Sequence, residues 1–130
     1  MHSVSQLISK FPRAELISVP TPVERLDRMS DKLNIDLWMK RDDLTGLSFG
    51  GNKTRQLEYY IGAAVEKKAD TILITGAVQS NFVRTAAAAA AKFGMKAILQ
   101  LEERVPNMGS TYHSSGNVLL SNLLDVEHMY

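Results

Sequence analysis

The chain has 130 residues, 45% of them apolar and 22% charged, a composition typical of a soluble globular domain with a real core. Its 15 lysines and arginines nearly balance 14 acidic residues, and no basic run suggests nucleic acid or an anionic membrane as a partner. The absence of cysteine and the scatter of three histidines argue against a metal site. Without a secretory pattern or an apolar run of about 18 residues, we expect a cytoplasmic protein that binds small molecules.

The first half of the chain begins with a helix signal. Thr21, Pro22 and Glu24 combine a capping box with proline at the first helical position, which predicts a helix over residues 22–33. Alternating apolar residues predict a strand over residues 35–39, followed by a loop that carries Lys-Arg-Asp-Asp and ends at two glycines. An apolar stripe then predicts an amphipathic helix over residues 54–67.

The second half has the pattern of a parallel sheet. A continuous apolar and β-branched run over residues 71–75 predicts a strand that is buried on both faces. A helix over residues 82–93 contains six consecutive alanines, and a strand over 96–101 completes a right-handed βαβ unit. A polar loop over 102–116, a helix over 117–124 and a strand beginning at 126 follow. This order predicts an α/β fold with a three-layer open parallel sheet, here incomplete and part of a larger protein.

Lys53 is the first candidate for chemistry. It follows two glycines and an asparagine at a predicted helix start, where the helix dipole opposes its positive charge, and a neutral lysine is a nucleophile. Gln79, Ser80 and Asn81 follow a predicted strand, at the sheet edge where α/β proteins bind ligands. An amine beside neutral polar groups suits Schiff-base chemistry better than hydrolysis, since no histidine or acid completes a serine-type triad. Pyridoxal phosphate is the common aldehyde partner of such a lysine.

These residues also have structural interpretations. Asn52 is a typical N-cap residue, with Lys53 then in solvent, and Ser80 and Asn81 are N-cap types as well. The two aspartates at 42 and 43 are typical of a surface ion-pair cluster with the preceding Lys40 and Arg41. The glycines and Lys53 also have the outline of a phosphate-binding P-loop, but Asn52 stands where that motif needs glycine, which argues against nucleotide hydrolysis.

Several segments, in order, make the chain resemble the pyridoxal-phosphate enzymes comprising D-cysteine desulfhydrase and 1-aminocyclopropane-1-carboxylate deaminase. They are FPR at 11–13, PTP at 20–22, KRDD at 40–43, GGNKTR at 50–55, QSN at 79–81 and GN at 116–117. The resemblance implies the fold of the tryptophan synthase β-subunit, called fold type II. Residues 1–52 would belong to its large cofactor domain and residues 53–130 to its small α/β domain.

The resemblance also implies roles for the candidate residues. Lys53 would hold pyridoxal phosphate covalently, Asn81 would bond its 3-oxygen, Ser80 would lie beside the substrate as a second catalytic residue, and Gln79 would help hold the substrate carboxylate. The implied reaction converts D-cysteine to pyruvate, ammonia and hydrogen sulfide. One alternative is ring opening of 1-aminocyclopropane-1-carboxylate to 2-oxobutanoate and ammonia, and another is a non-catalytic binding or interaction module.

Family analogy further implies a homodimer. In the family the phosphate-binding loop lies beyond residue 130, so we expect little turnover from this chain alone.

Overall fold

The structure, a computed structural model, describes residues 4–129. Within this range, helices pack on a parallel three-stranded sheet, and a short antiparallel pair of strands lies earlier in the chain. The helices are α1 (Val4–Ile8), α2 (Asp27–Leu33), α3 (Lys53–Glu66), α4 (Asn81–Lys92), α5 (Ser110–Ser114) and α6 (Gly116–Asn122). The strands are β1 (Val23–Arg25), β2 (Trp38–Lys40), β3 (Thr71–Ala77), β4 (Lys96–Glu102) and β5 (Glu127–Met129).

The parallel sheet has the order β3-β4-β5. Thr71 of β3 lies opposite Lys96 of β4, and Ile98 of β4 lies opposite Glu127 of β5. The predicted strand, helix and strand of the βαβ unit are confirmed as β3, α4 and β4. Because the strands are parallel, their carboxyl ends share one edge of the sheet, and α4 begins at that edge.

The core is centred on the alanines of α4. Ala86, Ala87, Ala89 and Ala90 are each at most 1% exposed, and small side chains let a helix lie close to its neighbours. The other buried apolar residues come from α3, β3, β4 and an earlier segment, and include Leu57, Ile61, Ile74, Leu99, Ala14 and Leu16. Helices α3 and α4 therefore lie side by side.

Glu58 of α3 fastens the N-terminal segment to this core. Its carboxylate is buried and accepts hydrogen bonds from the backbone of Leu16 and Ile17, both at 3.1 Å. It also pairs with Arg13 at 2.6 Å. A buried charge is tolerated when its acceptor sites are filled in this way.

The predicted helix over residues 22–33 is wrong in its first part. Val23–Arg25 forms β1, which pairs antiparallel with β2, and the helix begins only at Asp27. The capping box fails because the Thr21 hydroxyl is used elsewhere: it donates to Asp42 at 3.2 Å and accepts from Arg55 at 2.9 Å.

Two further expectations need correction. Strand β3 is not buried on both faces, since Leu73 is 64% exposed and nothing among residues 4–129 covers that face. The predicted loop over 102–116 is wrong in its last part, which contains the short helix α5. The last strand is β5, and Tyr130 lies outside the described residues. None of the helices between residues 4 and 129 combines the length and the apolar character that a membrane crossing requires.

Candidate functional site

Lys53 is the first residue of α3 and is half-buried. Asn52 occupies the N-cap position of α3, as its structural interpretation predicted, but its side chain makes no capping hydrogen bond. Among the described residues, no hydrogen bond or ion pair engages the Lys53 amine. A primary amine is thus left available at the start of a helix.

The segment before Lys53 is shaped by two glycines. Gly50 and Gly51 have φ angles of +70° and +127°, which side chains rarely adopt. A Cβ atom on Gly50 would lie 2.0 Å from the carbonyl oxygen of Asp43, so no larger residue fits there. We call residues 50–52 the lysine loop, because their backbone sets the position of Lys53 at the start of α3.

Two buried threonines hold the lysine loop through hydrogen bonds to Gly51. Thr45 is 4% exposed and Thr54 is fully buried, and their hydroxyl oxygens lie 3.1 Å apart. Thr45 accepts a hydrogen bond from the Gly51 amide at 2.9 Å, and Thr54 donates to the Gly51 carbonyl at 3.1 Å. Both ends of the Gly51 residue are therefore bonded before α3 begins.

Asp42 departs from the predicted surface ion-pair cluster. Arg41 does form surface pairs, with Asp43 at 2.7 Å and with Glu24 at 2.8 Å. Asp42 instead accepts two hydrogen bonds from Arg55 of α3, at 2.6 and 2.9 Å, and its backbone carbonyl accepts from the Gly51 amide. The guanidinium of Arg55 lowers the pKa of Asp42, which keeps this carboxylate charged.

Helix α4 begins beside the lysine loop. Ser80 is its N-cap, and the Ser80 hydroxyl oxygen accepts a hydrogen bond from the Val83 amide at 3.3 Å. Asn81 is the first helical residue, and its side-chain amide has no partner within residues 4–129. A Cβ on Gly51 would lie 3.4 Å from the Asn81 amide nitrogen, so the lysine loop and Asn81 are in close approach.

The side-chain hydrogen bonds of Gln79 go to α5 and α6 and not to the lysine loop. Its side-chain nitrogen donates to the carbonyls of Tyr112 and Ser115, at 2.6 and 2.9 Å. Its side-chain oxygen accepts from the Asn117 amide at 2.9 Å. The side chain of Gln79 thus fastens the junction of α5 and α6, and the hold on a substrate carboxylate expected of this position stays a prediction.

Sequence reasoning missed Arg84. This residue is 7% exposed, and its Nη2 atom donates to the Gly50 carbonyl at 3.0 Å. Burial lowers the pKa of Arg84. The available signal was a charged residue within an otherwise apolar, alanine-rich helix, one turn after Asn81.

The fold is that of a known class of enzyme. The sequence model of a family described as "Pyridoxal-phosphate dependent enzyme" matches residues 15–127. The chain belongs to this family, whose cofactor is pyridoxal phosphate, and the predicted α/β fold class and family resemblance are confirmed.

Particular relatives narrow the likeness. The chain is 45% identical over 122 residues to D-cysteine desulfhydrase of Klebsiella pneumoniae subsp. pneumoniae, a match that covers 94% of this chain and 37% of the relative. It is 43% identical over 120 residues to the D-cysteine desulfhydrase of Salmonella paratyphi B, covering 92% of this chain and 37% of that protein. A solved structure described as an ACC deaminase homologue matches with a TM-score of 0.86 and 42% identity, over 99% of this chain and 38% of that one. The chain therefore spans 37% of the length of these curated relatives.

The residues at the two helix starts fit part of this cofactor. Pyridoxal phosphate carries an aldehyde, which a lysine amine can bind, and a neighbouring ring oxygen, which an amide nitrogen can bond. Lys53 and Asn81 supply those two groups, and both lack other partners among the described residues. The close approach of Gly51 to Asn81 leaves no side chain between them.

Proposed function

We propose that this chain provides the cofactor lysine of a pyridoxal-phosphate enzyme that releases sulfide from D-cysteine. The observation that carries the proposal is the approach of Gly51 to Asn81, so close that a Cβ added to Gly51 would lie 3.4 Å from the Asn81 amide nitrogen, beside the unpartnered Lys53. Similarity to two D-cysteine desulfhydrases supports the substrate. In the overall reaction, D-cysteine and water give pyruvate, ammonia and hydrogen sulfide.

Each residue has a proposed task. Pyridoxal phosphate, when bound, withdraws electrons from the α-carbon of an amino acid joined to it. Lys53 would hold the cofactor through Nζ, and its amine would take the proton from the α-carbon of the substrate. Asn81 donates to the ring oxygen. Ser80 lies beside the substrate with a hydroxyl whose oxygen already accepts from Val83, which leaves its proton for donation. Gln79 helps hold the carboxylate through the backbone after it, since both N–H groups of its side chain donate to Tyr112 and Ser115.

Covalent trapping of the cofactor tests this proposal. The chain is incubated with pyridoxal phosphate and reduced with borohydride, and the modified peptide is identified by mass spectrometry. We expect the label on Lys53 and its complete loss in Lys53→Ala, while Lys67→Ala, at the exposed far end of α3, keeps it. Label spread over surface lysines, or unchanged in Lys53→Ala, contradicts the proposal.

Substrate assays separate the proposed reaction from two alternatives. Sulfide and pyruvate from D-cysteine support the first proposal, whereas 2-oxobutanoate from 1-aminocyclopropane-1-carboxylate supports deamination, which the similarity to the ACC deaminase homologue favours. A non-catalytic binding module of the same fold would bind a ligand equally well with and without Lys53. The assay uses the 130-residue chain, from which we expect little turnover by itself, beside a D-cysteine desulfhydrase as the positive control.

The wider organisation is also proposed. The division into a large-domain segment over residues 1–52 and a small domain over 53–130 is supported by the separation of the β1–β2 pair from the parallel sheet. A homodimer and a cytoplasmic location rest on family analogy and on the sequence. Light scattering of the purified chain measures the first.

A further inference from the structure

Arg84 is a buried cation without a counter-charge. It is 7% exposed, and within residues 4–129 no carboxylate forms an ion pair with it. Its Nε atom is buried and has no hydrogen-bond partner among the described residues. Because arginine stays protonated in proteins, this arrangement costs free energy that an apolar side chain of similar size would not.

The bonds that Arg84 does make lead to the lysine loop. Its Nη2 atom donates to the Gly50 carbonyl at 3.0 Å, with Thr85 more distant at 3.5 Å. The same nitrogen would lie 3.9 Å from a Cβ on Gly51. Arg84 thus bonds the Gly50 carbonyl from α4, whereas Thr45 and Asp42 bond the Gly51 amide.

Arg84 and Asn81 also share one side of α4. Residues three apart on a helix are neighbours, so the arginine that bonds Gly50 and the asparagine that approaches Gly51 form one contact surface. The α3–α4 core of alanines, Leu57 and Ile61 already holds the two helices together. An apolar side chain at position 84 would be enough to stabilise the packing of α3 on α4. A hydrogen bond to the Gly50 carbonyl needs a donor such as the Arg84 guanidinium.

We propose that Arg84 is a positioning residue: its guanidinium holds the Gly50–Gly51 backbone against α4 and thereby sets the Lys53 amine relative to the Asn81 amide. This inference rests on the proposed function, in which Lys53 and Asn81 hold one cofactor. Among the described residues, Arg84 itself makes no hydrogen bond to the side chain of Lys53 or of Asn81.

Amide hydrogen exchange, measured on the full chain without cofactor, tests the positioning. In Arg84→Met we expect the Gly51 and Thr54 amides, which bond Asp42 and Gly51 carbonyls, to exchange about tenfold faster, the effect of losing one charge-assisted hydrogen bond. Amides beyond the first turn of α3 and those within α4 should keep their rates, as should every amide in Arg28→Met, a control on the exposed side of α2. Unchanged exchange at Gly51 and Thr54, or a uniform rise throughout both helices, overturns the proposal.

Arg84→Lys carries the same test if the methionine variant does not fold. Its shorter side chain keeps the charge but loses the planar reach to Gly50, so the same two amides must exchange faster than in the wild type. Equal protection of those amides overturns the proposal.

Cofactor trapping gives a second readout. We expect the apparent affinity of pyridoxal phosphate for Lys53, from borohydride labelling at increasing cofactor concentration, to fall about tenfold in Arg84→Met. A wild-type chain that takes no label at Lys53 overturns the proposed function, while the exchange experiment still decides whether Arg84 holds the loop. Wild-type affinity in Arg84→Met overturns the positioning of Lys53.

Discussion

The N-terminal ends of α3 and α4 lie beside each other but are built differently. At α4, Ser80 caps the helix and Gln79 bonds the junction of α5 and α6. At α3 no side chain caps the helix, and the backbone turns through two glycines that buried threonines and Arg84 hold in place. One start uses a side-chain cap, and the other uses backbone geometry.

The two starts share one outcome. Each leaves a polar side chain in its first helical residue without a partner among the described residues, Lys53 at α3 and Asn81 at α4. Asn52, Ser80 and Asn81 are all capping types by sequence, yet only Ser80 caps. Tertiary contacts, rather than residue type, decide which side chain stays available to a ligand.

The largest expected effect breaks the α3 start through its backbone. Gly50→Ala places a Cβ 2.0 Å from the Asp43 carbonyl oxygen at a φ of +70°, so the loop must move. We expect a loss of about 3–5 kcal/mol in the free energy of unfolding, from strain and overpacking together. Urea denaturation of the chain measures it.

Gly94→Ala is the matched control for that variant. Gly94 follows α4 with nearly the same φ, +69°, but a Cβ there meets nothing within 4 Å. We expect it to cost about 1 kcal/mol, from backbone strain alone. Equal losses in the two variants would show that the lysine loop does not need its close approach to Asp43.

A second variant breaks the α4 start through a side chain. Gln79→Glu replaces the nitrogen that donates to the Tyr112 and Ser115 carbonyls with a charged oxygen that faces them. We expect a loss of about 2–3 kcal/mol, because two donors vanish and a carboxylate is left against two acceptors. Thermal unfolding measures it, with the exposed Gln56→Glu of α3 as a control that should stay within about 0.5 kcal/mol of the wild type.

The smallest expected effect is a pH dependence of the free energy of unfolding, and it comes from the ion pair at the start of α3. Arg55 lowers the pKa of Asp42 in the folded chain, so the pair stabilises the fold above the ordinary carboxyl pKa and loses that contribution as pH falls through the folded value. Asp42→Asn should therefore be less stable than the wild type near pH 7, by about 0.5–1 kcal/mol for a partly exposed pair, and the difference should shrink on acidification. Urea midpoints at pH 7, 4 and 3 measure this difference, and one that grows on acidification contradicts the assignment.

Much of the second half of the fold could be predicted from the sequence. The alanine-rich α4 and its flanking strands follow local rules, namely a continuous apolar run, high helix propensity and a glycine after the helix. The helix over residues 22–33 failed at its start because Thr21 bonds Asp42 and Arg55, which no local pattern shows. β1 forms only because β2 lies beside it.

The candidate site divides in the same way. The positions of Lys53 and Asn81 at neighbouring helix starts followed from the order of elements. The contacts that shape their surroundings did not, because the bonds from Thr45 and Asp42 to Gly51 follow no local helix or strand pattern and Arg84 reaches Gly50 across 34 positions. The hydrogen bonds of Gln79 likewise join residues 33 to 38 positions apart.

The bond from Arg84 to Gly50 also has a consequence in time. The two residues are 34 positions apart, so a ribosome adding about 5–20 residues per second makes Arg84 roughly 2–7 seconds after Gly50. Until then the segment that carries Lys53 lacks the hydrogen bond from Arg84 to Gly50. The order of synthesis therefore puts the formation of α4 before the completion of the lysine loop, and any capture of a cofactor by a finished site comes after both.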